Sequence, residues 1–247
     1  MCGRYASFRD AQDLADELAI ADLADDARLL PPSWNVAPTD PVRIVVERAA
    51  KDTGEVRRSL RLARWGLVPS WAKDPGVGAR MINARSESLL DKPAFAKPLA
   101  ARRCLVPADG YYEWRRIETP PAEGSTARRP RVTKQPFYIH PDEPGVTAFA
   151  GLYEFWRDPA KPEDDPTRWL VSTTIVTTAA APALAPIHDR MPLALPRSAW
   201  DAWLDPTVGK DEAAGLLVAP QVPMTAHEVA PLVNSVANNG PELVRAV

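Results

Sequence analysis

Many short strands and a few short helices are predicted, on three observations. The 247 residues include 27 prolines, too many for long uninterrupted helices, because proline lacks the amide proton and its ring clashes with the preceding turn. Runs of β-branched, aromatic and alternating residues recur between Gly, Pro and Asp punctuation, most plainly at residues 42–47 and 56–64 around Asp52-Thr53-Gly54. Helical periodicity is confined to brief stretches. The length is that of one large or two small domains and buries a substantial core.

In chain order, Ser7 followed by Asp10 forms a capping-box signature. Ala11, Leu14, Ala15 and Leu18 then predict a surface helix over residues 8–20, and the acidic, Ala-rich residues 22–28 extend it. Residues 35–39, Asn-Val-Ala-Pro-Thr, read as an extended loop, since the residue before proline is pushed out of the helical region. After the hairpin, residues 64–71 read as a shaped loop carrying Trp65 and Trp71. These rings either pack in the core or offer stacking platforms worth ~1–3 kcal/mol per base. The polar run from Asn83 to Ser88 is either a hydrogen-bonding site or a helix start capped by Asn83. A short helix over 93–103 and a strand over 104–107 follow, with Cys104 as a small buried hydrophobe.

Tyr111-Tyr112-Glu113-Trp114 is the most unusual run in the chain. Its lone carboxylate is either exposed on an edge or held in an apolar site, where desolvation raises its pKa toward acid/base work. Residues 117–134 read as a surface loop within a hairpin. Strands resume at 135–140 and 146–156, a loop covers 157–168, and a strand covers 169–178 before a helical turn at 179–184. His188, one of three histidines, is either a loop residue bonded to backbone or a group titrating near neutral pH. Helices are predicted over 196–204 and 210–217, a strand over 222–229, and a tied-down polar close over 233–243.

The net charge of -2 conceals a strong asymmetry: residues 1–42 carry -5, residues 43–134 carry +10 and residues 135–247 carry -7. A polyanion would bind the basic middle third, unless those arginines only solvate a strand face. No apolar run reaches the roughly 18–20 residues of a membrane span, and no charged-then-apolar leader precedes the chain, so a cytoplasmic protein is expected. Two cysteines make neither a disulfide framework nor a metal cluster. Glycine-rich phosphate loops and metal-ligand motifs are absent from the sequence.

The chain opens Met1-Cys2-Gly3-Arg4-Tyr5. Cys2 is either a buried cysteine after a start codon or, once Met1 is removed, an N-terminal residue with an α-amine of pKa ~7.7–8.0 beside a thiol of ~8.5. Such a pair condenses with an aldehyde, amine and sulfur closing a five-membered thiazolidine.

Seven blocks occur in order: Met-Cys-Gly-Arg-Tyr, Asn-x-Ala-Pro-Thr, Arg-Trp-Gly-Leu-Val-Pro-x-Trp, Asn-Ala-Arg-x-Glu, Arg-Arg-Cys-Leu-x-Pro-Ala-x-Gly-Tyr-Tyr-Glu-Trp, Phe-Ala-Gly-Leu-Tyr-Glu and His-x-Arg-Met-Pro. This resembles the SOS response-associated peptidase family of abasic-site processing proteins, over essentially the whole chain. The resemblance implies a single α+β domain, residues 1–247, around a curved, partly barrel-like, mostly antiparallel sheet with flanking helices. It implies Cys2 as nucleophile, Asn83 beside it, and Glu113 and His188 as acid/base groups. It implies Arg4, Asn35, Pro38, Trp65, Trp71 and Arg85 as DNA contacts, with the basic segment from Arg57 to Arg103 facing DNA. The implied partner is single-stranded DNA containing an abasic site, bound by a monomer that is nucleoid-associated when on DNA and needs no metal or organic cofactor. The implied chemistry is a thiazolidine crosslink, with lyase activity when an imine fails to close. Two other activities fit the same residues: a cysteine peptidase using Cys2, His188 and Glu113 or Asn83, including self-removal of Met1, and a non-catalytic single-strand binder.

Overall fold

The computed structural model describes residues 2–50, 53–120, 129–143, 145–218 and 220–247. The chain runs β1 (Tyr5–Ser7), α1 (Ala11–Glu17), β2 (Asp22–Leu23), α2 (Asp25–Leu29), β3 (Ser33–Val36), then the hairpin β4 (Pro41–Ala49) and β5 (Val56–Trp65). It continues through β6 (Asn83–Arg85), α3 (Pro93–Ala101), β7 (Arg103–Ala108), β8 (Gly110–Thr119), β9 (Arg131–Pro141), β10 (Thr147–Arg157) and β11 (Trp169–Ala179). The last elements are β12 (Arg190–Pro192), α4 (Arg197–Leu204), α5 (Lys210–Leu216) and β13 (Met224–Glu228). Among the described residues no helix is long and apolar enough to cross a membrane.

One sheet runs β11-β10-β7-β4-β5 and closes on itself through a parallel contact of β5 with β11, Ser172 opposite Arg64. The result is the expected partial barrel, of five strands. A second sheet, β13-β9-β8-β1-β3, is antiparallel throughout. Successive side chains on a strand point to opposite faces, and β4 shows the consequence. Val42, Ile44 and Val46 join Trp65, Cys104, Val106, Phe149 and Ile175 in one apolar cluster. Val45 joins Leu60, Leu105, Leu152 and Val176 in another, against Leu14, Phe95, Leu99, Trp200 and Trp203 of the helices. The first cluster fills the barrel; the second glues the helices to its outside. Gly151 of β10 permits this packing, since a Cβ there would stand 2.8 Å from Cys104 Sγ.

Two buried arginines tie the helices down. Arg103 donates to Leu99 O and Ala100 O at the end of α3, to Trp203 O in α4, and to Asp205 O and Val208 O beyond it. Arg43 donates to Ala27 O, Leu30 O and Arg9 O. The last carbonyls of a helix lack intrahelical donors, so each guanidinium completes helix ends that would otherwise be orphaned in the core. Arg103→Met keeps the volume and strands several acceptors. At ~1–3 kcal/mol per unsatisfied buried group, the loss is expected to reach about 3 kcal/mol or more, a fall in melting temperature of roughly 6–12 °C.

The structure corrects several expectations. Asp10, not Ser7, caps α1, accepting from the backbone N–H of Gln12 and Asp13; Ser7 closes β1 instead. The helix stops at Glu17, and Ala19 adopts φ 52, which breaks the predicted extension. Residues 22–28 divide into β2 and the start of α2, because Asp22-Leu23 pairs in parallel with Ser59-Leu60. The two ends of the predicted loop at 117–134 are ribbon: β8 and β9 stay paired as far as Thr119 opposite Arg131. Its middle, residues 121–128, lies outside the described residues. Asn83 caps no helix; it begins β6, paired in parallel with Ile175 of β11.

Candidate active site

The candidate site forms where β1, β6 and β8 meet above the barrel core. Tyr5 of β1 packs edge-on against Trp65 at 5.2 Å and pairs with Tyr111 of β8. Three residues before Tyr5, Cys2 is 0% exposed and belongs to the same apolar cluster as Tyr5, Trp65 and Tyr111. Its Sγ lies 3.7 Å from Arg4 O, a carbonyl that also accepts the Tyr112 N–H at 3.0 Å. Asn83 Nδ2 donates to Cys2 O at 2.6 Å. The strand bearing Asn83 is held from below by Trp65, whose indole N–H donates to Ile82 O at 2.9 Å. Asn83 Oδ1 is buried without a partner among the described residues.

Burial pushes the Cys2 thiol well above its ordinary range, and the nearby Glu113 charge adds to this. Tyr111 is raised by burial and by the charges of Cys2 and Glu113. Glu113 is only 4% exposed, and burial, reinforced by the Asp189 charge, lifts its pKa to about 7. Of the two alternatives for this carboxylate, the interior one is realised. Glu113, Trp114, Lys134, His188 and Asn234 line a cleft of about 460 Å³. Cys2 is not among the residues that line it.

His188 follows the turn at Leu184 and Ile187, where its N–H bonds Leu184 O at 3.2 Å. Its Nδ1 accepts the Arg190 backbone N–H at 3.0 Å and also lies 3.0 Å from Asp189 Oδ1. One lone pair cannot serve both. In neutral imidazole Nδ1 accepts and Nε2 carries the proton; in imidazolium Nδ1–H turns to Asp189. Burial lowers the His188 pKa, and Asp189 opposes that. The same Asp189 charge raises the pKa of Glu113. Asp189→Asn is therefore expected to lower both pKa values and to shift both limbs of the activity–pH profile to lower pH.

Two residues inside the quoted blocks carried no assigned role. Arg190 donates to Glu87 through both terminal nitrogens, at 2.7 and 2.9 Å, and to Thr177 O at 2.7 Å. This fork-to-fork pair joins the segment bearing Asn83 to the segment bearing His188. Hydrogen bonding from Arg190 lowers the Glu87 pKa to about 2. The spacing within Asn-Ala-Arg-x-Glu and His-x-Arg-Met-Pro offered no means of pairing them. Lys134 and Asn234 were equally out of sight, one placed in a loop and the other in a polar tail.

The expected DNA contacts divide. Arg85 is exposed, and its guanidinium has no ion-pair partner among the described residues. Trp71 is 68% exposed. Arg4 is half-buried, with Nη1 committed to Asn35 Oδ1 and Val233 O, both at 2.8 Å. Asn35 is 4% exposed, and its amide also holds Ser235 O and Asn238 O; it anchors the C-terminal segment and presents nothing to a ligand. Pro38 is half-buried in the turn that precedes Thr39, whose N–H bonds Trp65 O at 2.8 Å. Trp65 is fully buried, which corrects its reading as a stacking platform. Gly66, at φ +125 and with a virtual Cβ 2.5 Å from Gly78 O, ends β5 in a tight turn directly after the buried Trp65, and Trp71 stands exposed five residues on.

Comparison with known proteins places this geometry in company. The profile of a family described as SOS response associated peptidase (SRAP) matches residues 1–236. Abasic site processing protein YoqW of Bacillus subtilis is 37% identical over 100% of both chains. Abasic site processing protein HMCES of Mus musculus is 31% identical over 98% of this chain and 75% of its own. Among solved structures, a protein from Bacteroides thetaiotaomicron aligns over 100% of both chains with TM-score 0.77 at 23% identity, a likeness of fold. A phage-related protein from Bordetella bronchiseptica aligns over 92% of this chain and 94% of its own, with TM-score 0.62 and 29% identity.

Proposed function

The chain belongs to the SOS response-associated peptidase family, and from that premise we propose that it processes abasic sites in single-stranded DNA by a thiazolidine crosslink through Cys2. The observation that carries this reading is the clustering of a buried N-proximal cysteine, the Asn83 amide on its carbonyl, and a carboxyl of pKa about 7. The relatives named as abasic site processing proteins support it.

With Met1 removed, the neutral Cys2 amine attacks C1′ of the ring-opened sugar. The carbinolamine loses its oxygen as water, protonated by Glu113, which then stands as carboxylate to take the proton shed by nitrogen. A carboxyl with pKa near 7 is half-protonated at neutral pH and does both. The thiol then adds across the imine: sulfur bonds C1′, and its proton ends on nitrogen. No net oxidation occurs, and the only product released is water. His188 bears Nε2–H in its neutral form and protonates the sugar ring oxygen as imidazolium, favouring the aldehyde. Asn83 Nδ2 fixes the Cys2 carbonyl, a positioning role. An imine that fails to close drives β-elimination, so lyase activity follows from the same intermediate. A single strand suits the reaction, because a stacked duplex hides C1′.

The peptidase reading draws less support. A peptidase thiol is activated by a lowered pKa or by a base taking its proton, whereas burial and the Glu113 charge raise this one. An abasic oligonucleotide incubated with the protein tests the proposal on a denaturing gel. A heat-stable adduct formed without borohydride is expected. Peptide hydrolysis with no adduct would overturn the proposal in favour of a peptidase, and affinity without adduct in favour of a simple binder.

A further inference from the structure

The cleft that holds Glu113 and His188 is also lined by Lys134, a residue with no part in the chemistry above. Lys134 stands on β9 directly opposite Arg116 of β8. Like charges at opposed positions of an antiparallel pair repel. The neighbouring arginine has its charge answered: Arg115 meets Glu228 at 2.8 Å. Arg116 meets Glu118 at 2.8 Å. Lys134 has no carboxylate within ion-pair reach among the described residues. With Arg116 answered by Glu118, the surplus positive charge of this opposed pair is the one on Lys134, at the cleft itself, with Arg116 one strand away. That charge is not carried on a flexible loop. Ladder pairing continues three positions past it, through Thr119 opposite Arg131, so the backbone under both residues is fixed. The adjacent ring is fixed too, because Trp114 Nε1–H donates to Asn234 Oδ1 at 2.7 Å.

We propose that Arg116 and Lys134 together seat a backbone phosphate of the single strand that enters this cleft, on one side of the reacting sugar. The inference rests on the reading of abasic-site processing and extends it by giving the strand a path along the β8–β9 ribbon. A phosphodiester answers the unpaired Lys134 charge, exchanges Arg116 from the exposed Glu118 carboxylate and reads no base, so the contact adds affinity without sequence preference. The path is distinct from Arg85 on β6, and from the segment between Arg57 and Arg103 on which the basic charge of the sequence first suggested DNA would lie.

Fluorescence anisotropy with an undamaged, fluorescein-labelled oligothymidine of roughly 15 nucleotides tests the seat without any covalent step. Arg116→Gln and Lys134→Gln are each expected to weaken binding about 3- to 10-fold and to flatten the slope of log K against log salt by ~0.7 per lost contact. Lys134→Arg keeps the charge and retains the wild-type slope. A double variant with wild-type affinity and slope overturns the seat, as does loss of the slope in Lys134→Arg. Crosslinking by the wild type with an unaltered double-variant slope sinks this inference alone. A wild type that makes no adduct, beside variants that lose affinity as predicted, sinks the crosslinking reading and leaves the seat standing.

Discussion

Cys2→Ala is expected to abolish the heat-stable adduct with abasic DNA altogether, while Cys2→Ser yields only a transient product. Alanine retains an α-amine and can form an imine, but nothing closes on it. Serine offers a hydroxyl whose nucleophilicity at neutral pH falls far below that of a thiol. Both variants should therefore trap with borohydride and dissociate on heating without it. Each should also show more strand cleavage per adduct, since an open imine persists. The loss of durable adduct is expected to exceed 10³-fold, on the order of the largest effects of removing a covalent nucleophile. The measurement is a denaturing gel run with and without borohydride. A heat-resistant, unreduced adduct from Cys2→Ser would falsify the thiazolidine.

Glu113→Gln should trade rate for stability, and the sign of the second effect depends on pH. The Glu113 carboxyl titrates at about 7 in the folded chain against an ordinary 4.5. Below pH ~4.5 it is protonated in both folded and unfolded states, and its burial carries no charge penalty. Between the two values the folded state holds more protons than the unfolded one, so stability falls as pH rises. The penalty is complete above pH ~7 and reaches about 3 kcal/mol, at 1.36 kcal/mol per pKa unit. Glutamine never ionises. Glu113→Gln is thus expected to melt well above the wild type at pH 8 and close to it at pH 4.5, while adduct formation slows by roughly 10²–10⁴-fold. Thermal melts at the two pH values, paired with adduct time courses, check both halves. Equal melting temperatures at pH 8 would mean that Glu113 is not held in a desolvating site.

These expectations draw on two kinds of information. The hairpin of β4 and β5, the short helices α3, α4 and α5, and the strands β7 and β10 were legible because local alternation and punctuation decide them. Residues 22–28 and the outward ends of the β8–β9 ribbon, to Thr119 and Arg131, were not. Asp22-Leu23 is a strand only because Ser59-Leu60 lies beside it, and β8 and β9 continue outward only because each satisfies the other's backbone. The outward β8–β9 pairing is a hairpin contact that the Pro-, Gly- and Arg-rich local composition disguised, whereas Ser59-Leu60 lies far along the chain from Asp22-Leu23. The same limit explains Asn83: a residue type suited to capping became a strand residue once β11 offered it a parallel neighbour.

The chemistry of the candidate site was set by residue identity. An amine and thiol on one residue, a carboxylate among aromatics and a histidine beside an aspartate define what can react, whatever surrounds them. Burial decided the rest, and burial is a property of the assembled sheets. Whether Glu113 lay at an edge or in an apolar pocket was undecided along the chain; packing of β8 against β1 made it 4% exposed and moved its pKa to about 7. Trp65 and Trp71 share one block, yet the first is fully buried on β5 and the second 68% exposed beyond the turn at Gly66. Desolvation and long-range pairing are sums over neighbours from distant parts of the chain. They are absent from any local pattern and exist only once the barrel has closed.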